Sequence, residues 1–293
     1  MPKLVEEISR SDELKRGLKA IQFLATLAEK NVVVTLVYER PLETEVWRSA
    51  AQAMGKSLSV SLIGRSKGVK VVVGNDFVVE SMEMSYGLTH TWKQVEGSFS
   101  NPNGHICKST IEHICNICNT EIRGGEGGEG GGFNGDLLDL YCGNGNYTVP
   151  LSRFFRRILS VELNKDLVRV AKENMENNSC RNVSMVRSCC MKFSKNVIAG
   201  RGMEYRAYQK YDFSAILVDP PRAGLDPGTL QLAKDFDHII YISCNADTLK
   251  TCLEELTQTH EVKSFMVFDH FPYTKFSECV VHLRKQEKIE ISL

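Results

Sequence analysis

The chain has 293 residues, its 36 Lys plus Arg are balanced by 36 Asp plus Glu, and 42% of it is hydrophobic. That length suits one large domain or two modest ones, and the composition is that of ordinary globular material, not a disordered tail. No apolar run exceeds four residues, which leaves no transmembrane helix, and the acidic start Met1-Pro2-Lys3-Leu4-Val5-Glu6-Glu7 reads against a secretory signal peptide.

Without a signal peptide, the ten Cys read as thiols in a reducing intracellular compartment, the cytoplasm first, with organelle or nucleus open. The zero charge balance argues at first against a nucleic-acid partner. It is, however, a sum of unequal parts: net +1 over 1–100, −4 over 101–150, +8 over 151–210 and −5 over 211–293. A partner would then be held by a local patch and by shape more than by a global field.

Residues 4–30 read as one or two helices, with Leu14, Leu18, Ile21, Leu24 and Leu27 at helical spacing. Residues 32–37 are β-rich, 42–54 look helical, and 58–63 and 69–73 read as paired strands around Gly64-Arg65-Ser66-Lys67-Gly68. This α+β layout forms a first domain, 1–97. The second, 98–293, contains a glycine-rich loop at 124–135. From residue 136 onward strands alternate with helices: 136–141, 158–162, a helix near 165–175, then 183–186, 215–219, 238–243, 262–268 and 278–283. That alternation predicts an α/β fold with a mostly parallel, doubly wound sheet.

At Leu137-Leu138-Asp139-Leu140-Tyr141-Cys142-Gly143-Asn144-Gly145-Asn146-Tyr147-Thr148 a strand hands over to a helix through two glycines. Glycine there lets backbone approach a ligand. The third fingerprint glycine is replaced by Thr148 and no Lys-Ser/Thr follows, which disfavours NAD and excludes a P-loop. The next strand ends in Glu162, placed to bond ribose hydroxyls. An adenosyl site without a phosphate cradle fits S-adenosylmethionine best, against the plainer reading of a Gly-containing turn beside a surface Glu.

Further on stand Val218-Asp219-Pro220-Pro221-Arg222-Ala223-Gly224-Leu225, Tyr241-Ile242-Ser243-Cys244-Asn245, and Phe268-Asp269-His270-Phe271-Pro272-Tyr273-Thr274 leading to Glu278. With the glycine turn, and with Ser61-Leu62-Ile63-Gly64-Arg65 and Gln94-Val95-Glu96-Gly97-Ser98-Phe99, these resemble the tRNA (uracil-5-)-methyltransferase family in order and spacing. The resemblance implies a Rossmann-like methyltransferase domain with an RNA-contacting N-terminal part, and conversion of a uridine to 5-methyluridine with S-adenosylmethionine. The T-arm uridine 54 of tRNA is the expected target and a monomer the expected form. It places the nucleophile on Cys244, the proton acceptor on Glu278, and cofactor contacts on Asn101, Tyr141, Asn146, Glu162 and Asp219, beside Gly143 and Gly145. Arg222 is a candidate for holding substrate, and Arg65, Lys67 and Lys70 for RNA phosphates. For Tyr141, core packing stays an alternative.

These residue types suit the chemistry. Carbon 5 of uracil is a poor nucleophile until a thiolate adds to carbon 6, and a base must then remove the proton from carbon 5.

Other constellations weigh less. His105, Cys107, His113, Cys115 and Cys118 resemble zinc ligands but lack a second well-spaced pair, so no metal is expected. The basic residues between Arg153 and Lys195 read as solvated helix faces.

The sequence departs from the family pattern in four ways. Additional N-terminal strands are missing, so the chain reads as trimmed. Ala246 follows Asn245 where the family prefers Pro, predicting a looser turn, and Phe276 stands for His. Asn101, one methylene shorter than the family's Gln, is expected to reach the cofactor less well. Two rival readings remain: the same chemistry on ribosomal RNA, and an RNA-binding or RNA-folding protein with a degenerate catalytic domain.

Overall fold

The computed structural model describes residues 2–27, 31–122 and 135–287. The loop expected at 124–135 lies outside the described residues except for Gly135. Two compact units result: Met1–Ser81 with Trp92–Ser98, and Met82–Thr91 with Phe99–Leu293. Residues 82–91 thus group with the larger unit, a division that a single boundary at 97/98 does not express.

The smaller unit opens with α1 (Pro2–Arg10) and α2 (Asp12–Lys15). Gly17, at φ +68°, takes the left-handed step that ends α2 and turns the chain into β1 (Leu18–Ala25). There follow β2 (Val32–Tyr38), α3 (Thr44–Leu58), β3 (Ser61–Ser66) and β4 (Val69–Val73), in a sheet of order β1-β2-β3-β4. Helix α3 is the crossover that makes β2 and β3 parallel, and its Trp47 is fully buried with Leu14, Leu36 and Leu62. The expectation of helix through 18–25 is corrected. Leu18, Ile21 and Leu24 lie on β1, which pairs antiparallel with β2 from Leu18↔Tyr38 to Ala25↔Val32. A bulge between Leu18 and Ala20 shifts Leu18 out of step, and Ile21 and Leu24 fall three apart on opposite faces of the regular stretch, so the apolar spacing imitates a helix.

Strands β5 (Phe77–Glu83) and β6 (Thr89–Val95) pair as a ribbon that the sequence reading did not identify. Helix α4 (Gly104–Ile117) follows, its N-terminus capped by Asn103, and continues as a π turn over Cys118–Ile122.

The larger unit then runs β7 (Asp136–Leu140), α5 (Thr148–Leu151), β8 (Ile158–Glu162), α6 (Lys165–Asn177), β9 (Val183–Arg187), α7 (Cys190–Ile198), α8 (Gly202–Tyr208), β10 (Phe213–Val218), α9 (Pro227–Ala233), β11 (His238–Ser243), α10 (Ala246–Leu256), β12 (His260–Phe268) and β13 (Glu278–Lys285). The sheet order is β12-β13-β11-β10-β7-β8-β9. Strands β9, β8, β7, β10 and β11 are parallel, while β13 runs antiparallel to both β11 and β12. This is the Rossmann-like α/β arrangement expected from the alternation, closed by one reversed strand. Its core joins Leu138, Val161, Ile216, Ile239 and Val281 from the strands to Phe193 and Phe236. Part of the basic segment serves this frame: Arg156 and Arg157 both grip buried Asp136 at the start of β7, at 2.9 and 2.6 Å.

Candidate active site

In an open parallel sheet, ligand-binding groups collect where the strands end. The ends of β7, β8, β10 and β11 here carry the glycine turn, Glu162, Asp219 and Cys244. The reversal of β13 brings its first residue, Glu278, to the same edge. The final pair between β11 and β13 is Ser243↔Cys279, and Cys244 and Glu278 are the residues next to it on the two segments.

The glycine turn is held by its acid. Glu162 accepts hydrogen bonds from the Gly143 N–H (3.1 Å) through Oε2 and from the Asn164 N–H (2.7 Å) through Oε1. Gly143 has φ +57° and its Cβ position faces open space, a backbone surface left bare for a ligand. Beneath it Asp139 is buried and bonded by Thr148 and Ser160, and burial pushes its carboxyl up to about 7.

Asn101, Cys107 and Asn146 form a chain. The Asn101 amide donates to Cys107 Sγ (3.2 Å), and the thiol donates to Asn146 Oδ1 (3.6 Å). Asn101 is thus tied to Asn146 through a cysteine that sequence reasoning considered only as a metal ligand. Asn146 Nδ2 is buried without a partner. Tyr141 is placed differently: at φ +64° its ring packs against the sheet core beside Cys190 and Thr229.

Glu278 is buried, which pushes its carboxyl up to about 7, opposed by a hydrogen bond from the Tyr147 hydroxyl (3.3 Å). Desolvation and the neighbouring Glu278 carboxylate raise Asp219 well above its usual range. Neither Asp219 nor Glu162 pairs with Lys or Arg among the described residues. Bare glycine backbone, an orphaned amide and unpaired carboxylates fit a cationic adenosyl cofactor.

Cys244 is half-buried. Its turn is tied down: Asn245 caps α10 by accepting from the Asp247 N–H (3.1 Å) and donates to the Arg222 carbonyl (2.9 Å), which also accepts from Thr248 (3.3 Å). The looser turn expected from Ala246 is thus offset by these bonds. Arg222 lies with its guanidinium over the Phe276 ring at 4.1 Å, so the residue replacing His supplies a stacking face.

The RNA candidates fare less evenly. Arg65 makes a two-pronged bond to buried Glu96 (2.8 and 2.7 Å), and Lys70 pairs with Asp76 (2.9 Å) and Glu96 (3.3 Å). Their charges are paired within the smaller unit. Lys67 sits on the tight turn at φ +43°. The thiols of α4 and the turn after it have separate contacts: Cys107 donates to Asn146, Cys115 faces Tyr86 at 4.0 Å, and Cys118 is buried near Cys115.

The residues sequence reasoning missed are Tyr147, Cys107 and His270. Tyr147 stands in the glycine turn itself, and that proximity was the available signal.

A family model described as tRNA (Uracil-5-)-methyltransferase matches residues 1–286. The chain is 41% identical over 290 residues to the tRNA/tmRNA (uracil-C(5))-methyltransferase of Acinetobacter baylyi, covering 97% of this chain and 76% of that protein. To the protein of the same description from Neisseria meningitidis it is 40% identical over 291 residues, covering 98% and 76%. Its fold matches Pyrococcus abyssi tRNA (uracil-54, C5)-methyltransferase solved with S-adenosyl-L-homocysteine, at TM-score 0.67 and 18% identity, over 96% of this chain and 65% of that one. The chain belongs to the tRNA (uracil-5-)-methyltransferase family and is an S-adenosylmethionine-dependent methyltransferase.

Proposed function

We propose that the protein methylates carbon 5 of a uridine in tRNA, uridine 54 of the T loop, through a covalent adduct between Cys244 and carbon 6 of the base. The observation that supports this reading is the last β11–β13 pair, Ser243↔Cys279, with Cys244 and Glu278 the residues next to it on the two segments.

Cys244 Sγ bonds to carbon 6, and the ring electrons displaced toward carbon 5 form the new carbon–methyl bond. S-adenosylmethionine, when bound, would supply the electrophilic methyl on its sulfonium, with a neutral thioether as the leaving group. Glu278 takes the proton from carbon 5, the double bond re-forms, and the Sγ–carbon 6 bond breaks to return the thiolate. Glu162 and the Gly143 backbone are assigned to the adenosyl ribose, and Asn101, Asn146 and Asp219 to the rest of the cofactor. The Arg222–Phe276 pair is assigned to holding the extruded base, since chemistry on a T-loop base requires it to leave its stack.

The relatives from Acinetobacter and Neisseria bear tRNA/tmRNA names, which supports tRNA over ribosomal RNA as the substrate. The experiment is incubation with 5-fluorouridine-substituted tRNA and cofactor. A protein–RNA adduct resistant to denaturation, absent in Cys244→Ala, is expected. Absence of any adduct with the native protein overturns the mechanism, and an adduct with ribosomal RNA alone overturns the substrate.

A further inference from the structure

His270 lies on the loop between β12 and β13, is almost fully buried, and had no role in the sequence reading. Its Nε2 is 3.1 Å from Thr110 Oγ1 on α4 and 3.6 Å from Glu278 Oε1. The Thr110 hydroxyl donates to the Ile106 carbonyl at 2.9 Å, so toward His270 it acts as acceptor. That assigns the ring proton to Nε2 and leaves Nδ1 bare, in keeping with a buried Nδ1 that has no partner.

The Nε2–H edge therefore points at the pair Thr110 Oγ1 and Glu278 Oε1. Tyr147 donates to the same carboxylate oxygen at 3.3 Å. Oε2 has no hydrogen-bond partner among the described residues. We propose that His270 is a positioning residue for Glu278: with Tyr147 it directs donors at Oε1, so that Oε2 is the oxygen that receives the uracil proton. This rests on the reading of Glu278 as the base.

The arrangement is consistent in both charge states. As a carboxylate, Glu278 accepts from Tyr147 through Oε1, with the Nε2–H edge of His270, bonded to Thr110, 3.6 Å from the same oxygen. After the proton transfers from carbon 5 to Oε2, Oε1 is a carbonyl oxygen that still accepts from Tyr147 and still faces the His270 edge, so no donor turns away during the step. The other ionisable groups facing Glu278 are Asp219 at the end of β10, Cys107 on α4 and the adjacent Cys279. His270 itself is flanked by Asp269. None of these offers Oε1 a hydrogen bond among the described residues.

The test follows the methylated adduct in single turnovers on unmodified tRNA with methyl-labelled cofactor, quenched in denaturant across pH. In His270→Ala, adduct formation is expected to stay near the native rate. Its resolution should slow about tenfold near neutral pH, with the acid limb displaced upward by about one unit. His270→Gln, which restores an N–H donor, should recover most of the loss, and thermal melts establish that both variants are folded. Equal slowing of formation and resolution with an unmoved acid limb overturns the proposal, as does a Gln variant no better than Ala. Glu278→Gln serves as the reference: if it accumulates no methylated adduct, the base assignment itself fails, an outcome separate from any result at His270.

Discussion

Tyr147 donates its hydroxyl to Glu278 Oε1 across 3.3 Å, with both side chains buried. Burial pushes the Glu278 carboxyl up to about 7 and the Tyr147 bond pulls it down. In its proposed role as the base, Glu278 works only when ionised, so proton removal should rise with pH through about 7 and level off above it. Tyr147→Phe deletes a bond to the ionised form and moves that limb upward by about one unit. Turnover at low pH should then fall about tenfold while turnover near pH 9 changes little. A pH–rate profile of the variant checks this, and an unmoved limb contradicts it.

The same raised carboxyl has a consequence for stability. A carboxyl that ionises later in the folded chain than in the unfolded one stabilises the fold fully below its unfolded value, 4.5 for Glu278, and loses that contribution as pH rises through about 7. Glu278→Gln should therefore melt higher than the native protein at pH 8, by an amount on the order of 2 kcal/mol, and alike near pH 4.5. Melting curves at the two pH values decide it.

Glu162 holds two backbone N–H groups of the turn and is assigned to the ribose hydroxyls. Glu162→Ala should weaken S-adenosylmethionine binding by about tenfold or more, with Glu162→Gln intermediate because the amide oxygen still accepts. Calorimetric titration with the cofactor measures both, and an unchanged Kd for the Ala variant removes Glu162 from the site.

Arg65 and Glu96 test whether basic residues serve RNA or the fold. Glu96 is held below its usual range by Arg65 and Lys70, so its contribution is present above its unfolded value and lost as pH falls through its folded one. Arg65→Ala should cost about 1–2 kcal/mol at neutral pH, a figure moderated by the exposure of the guanidinium. It should leave the salt dependence of tRNA binding unchanged. A shallower salt slope in Arg65→Ala would return Arg65 to the RNA.

Legibility in the sequence followed locality. The strands of the large sheet were readable from apolar runs set between helical stretches, and Cys244, Glu162 and Glu278 from motifs that end or begin strands. Strand β1 reads as a helix because half-buried Leu18, Ile21 and Leu24 recur every third residue, Ile21 and Leu24 on opposite faces of the strand. The ribbon β5–β6 went unseen. The commitment of Arg65 and Lys70 to Glu96 spans 31 residues for Arg65, and the Tyr147–Glu278 bond spans 131. Such partners are chosen by the folded sheet, so no window along the chain displays them.

Strand β13 runs against its neighbours, and its first residue is an acid one step beyond the last pair with β11, as is Cys244 on the other side. The spacing between Cys244 and Glu278 is consequently tied to a main-chain ladder. Removing one residue between Glu278 and Lys285 would exchange the strand's two faces, and because residues 279–283 are buried between β12 and β11, the core and the Cys244–Glu278 spacing would be disturbed together.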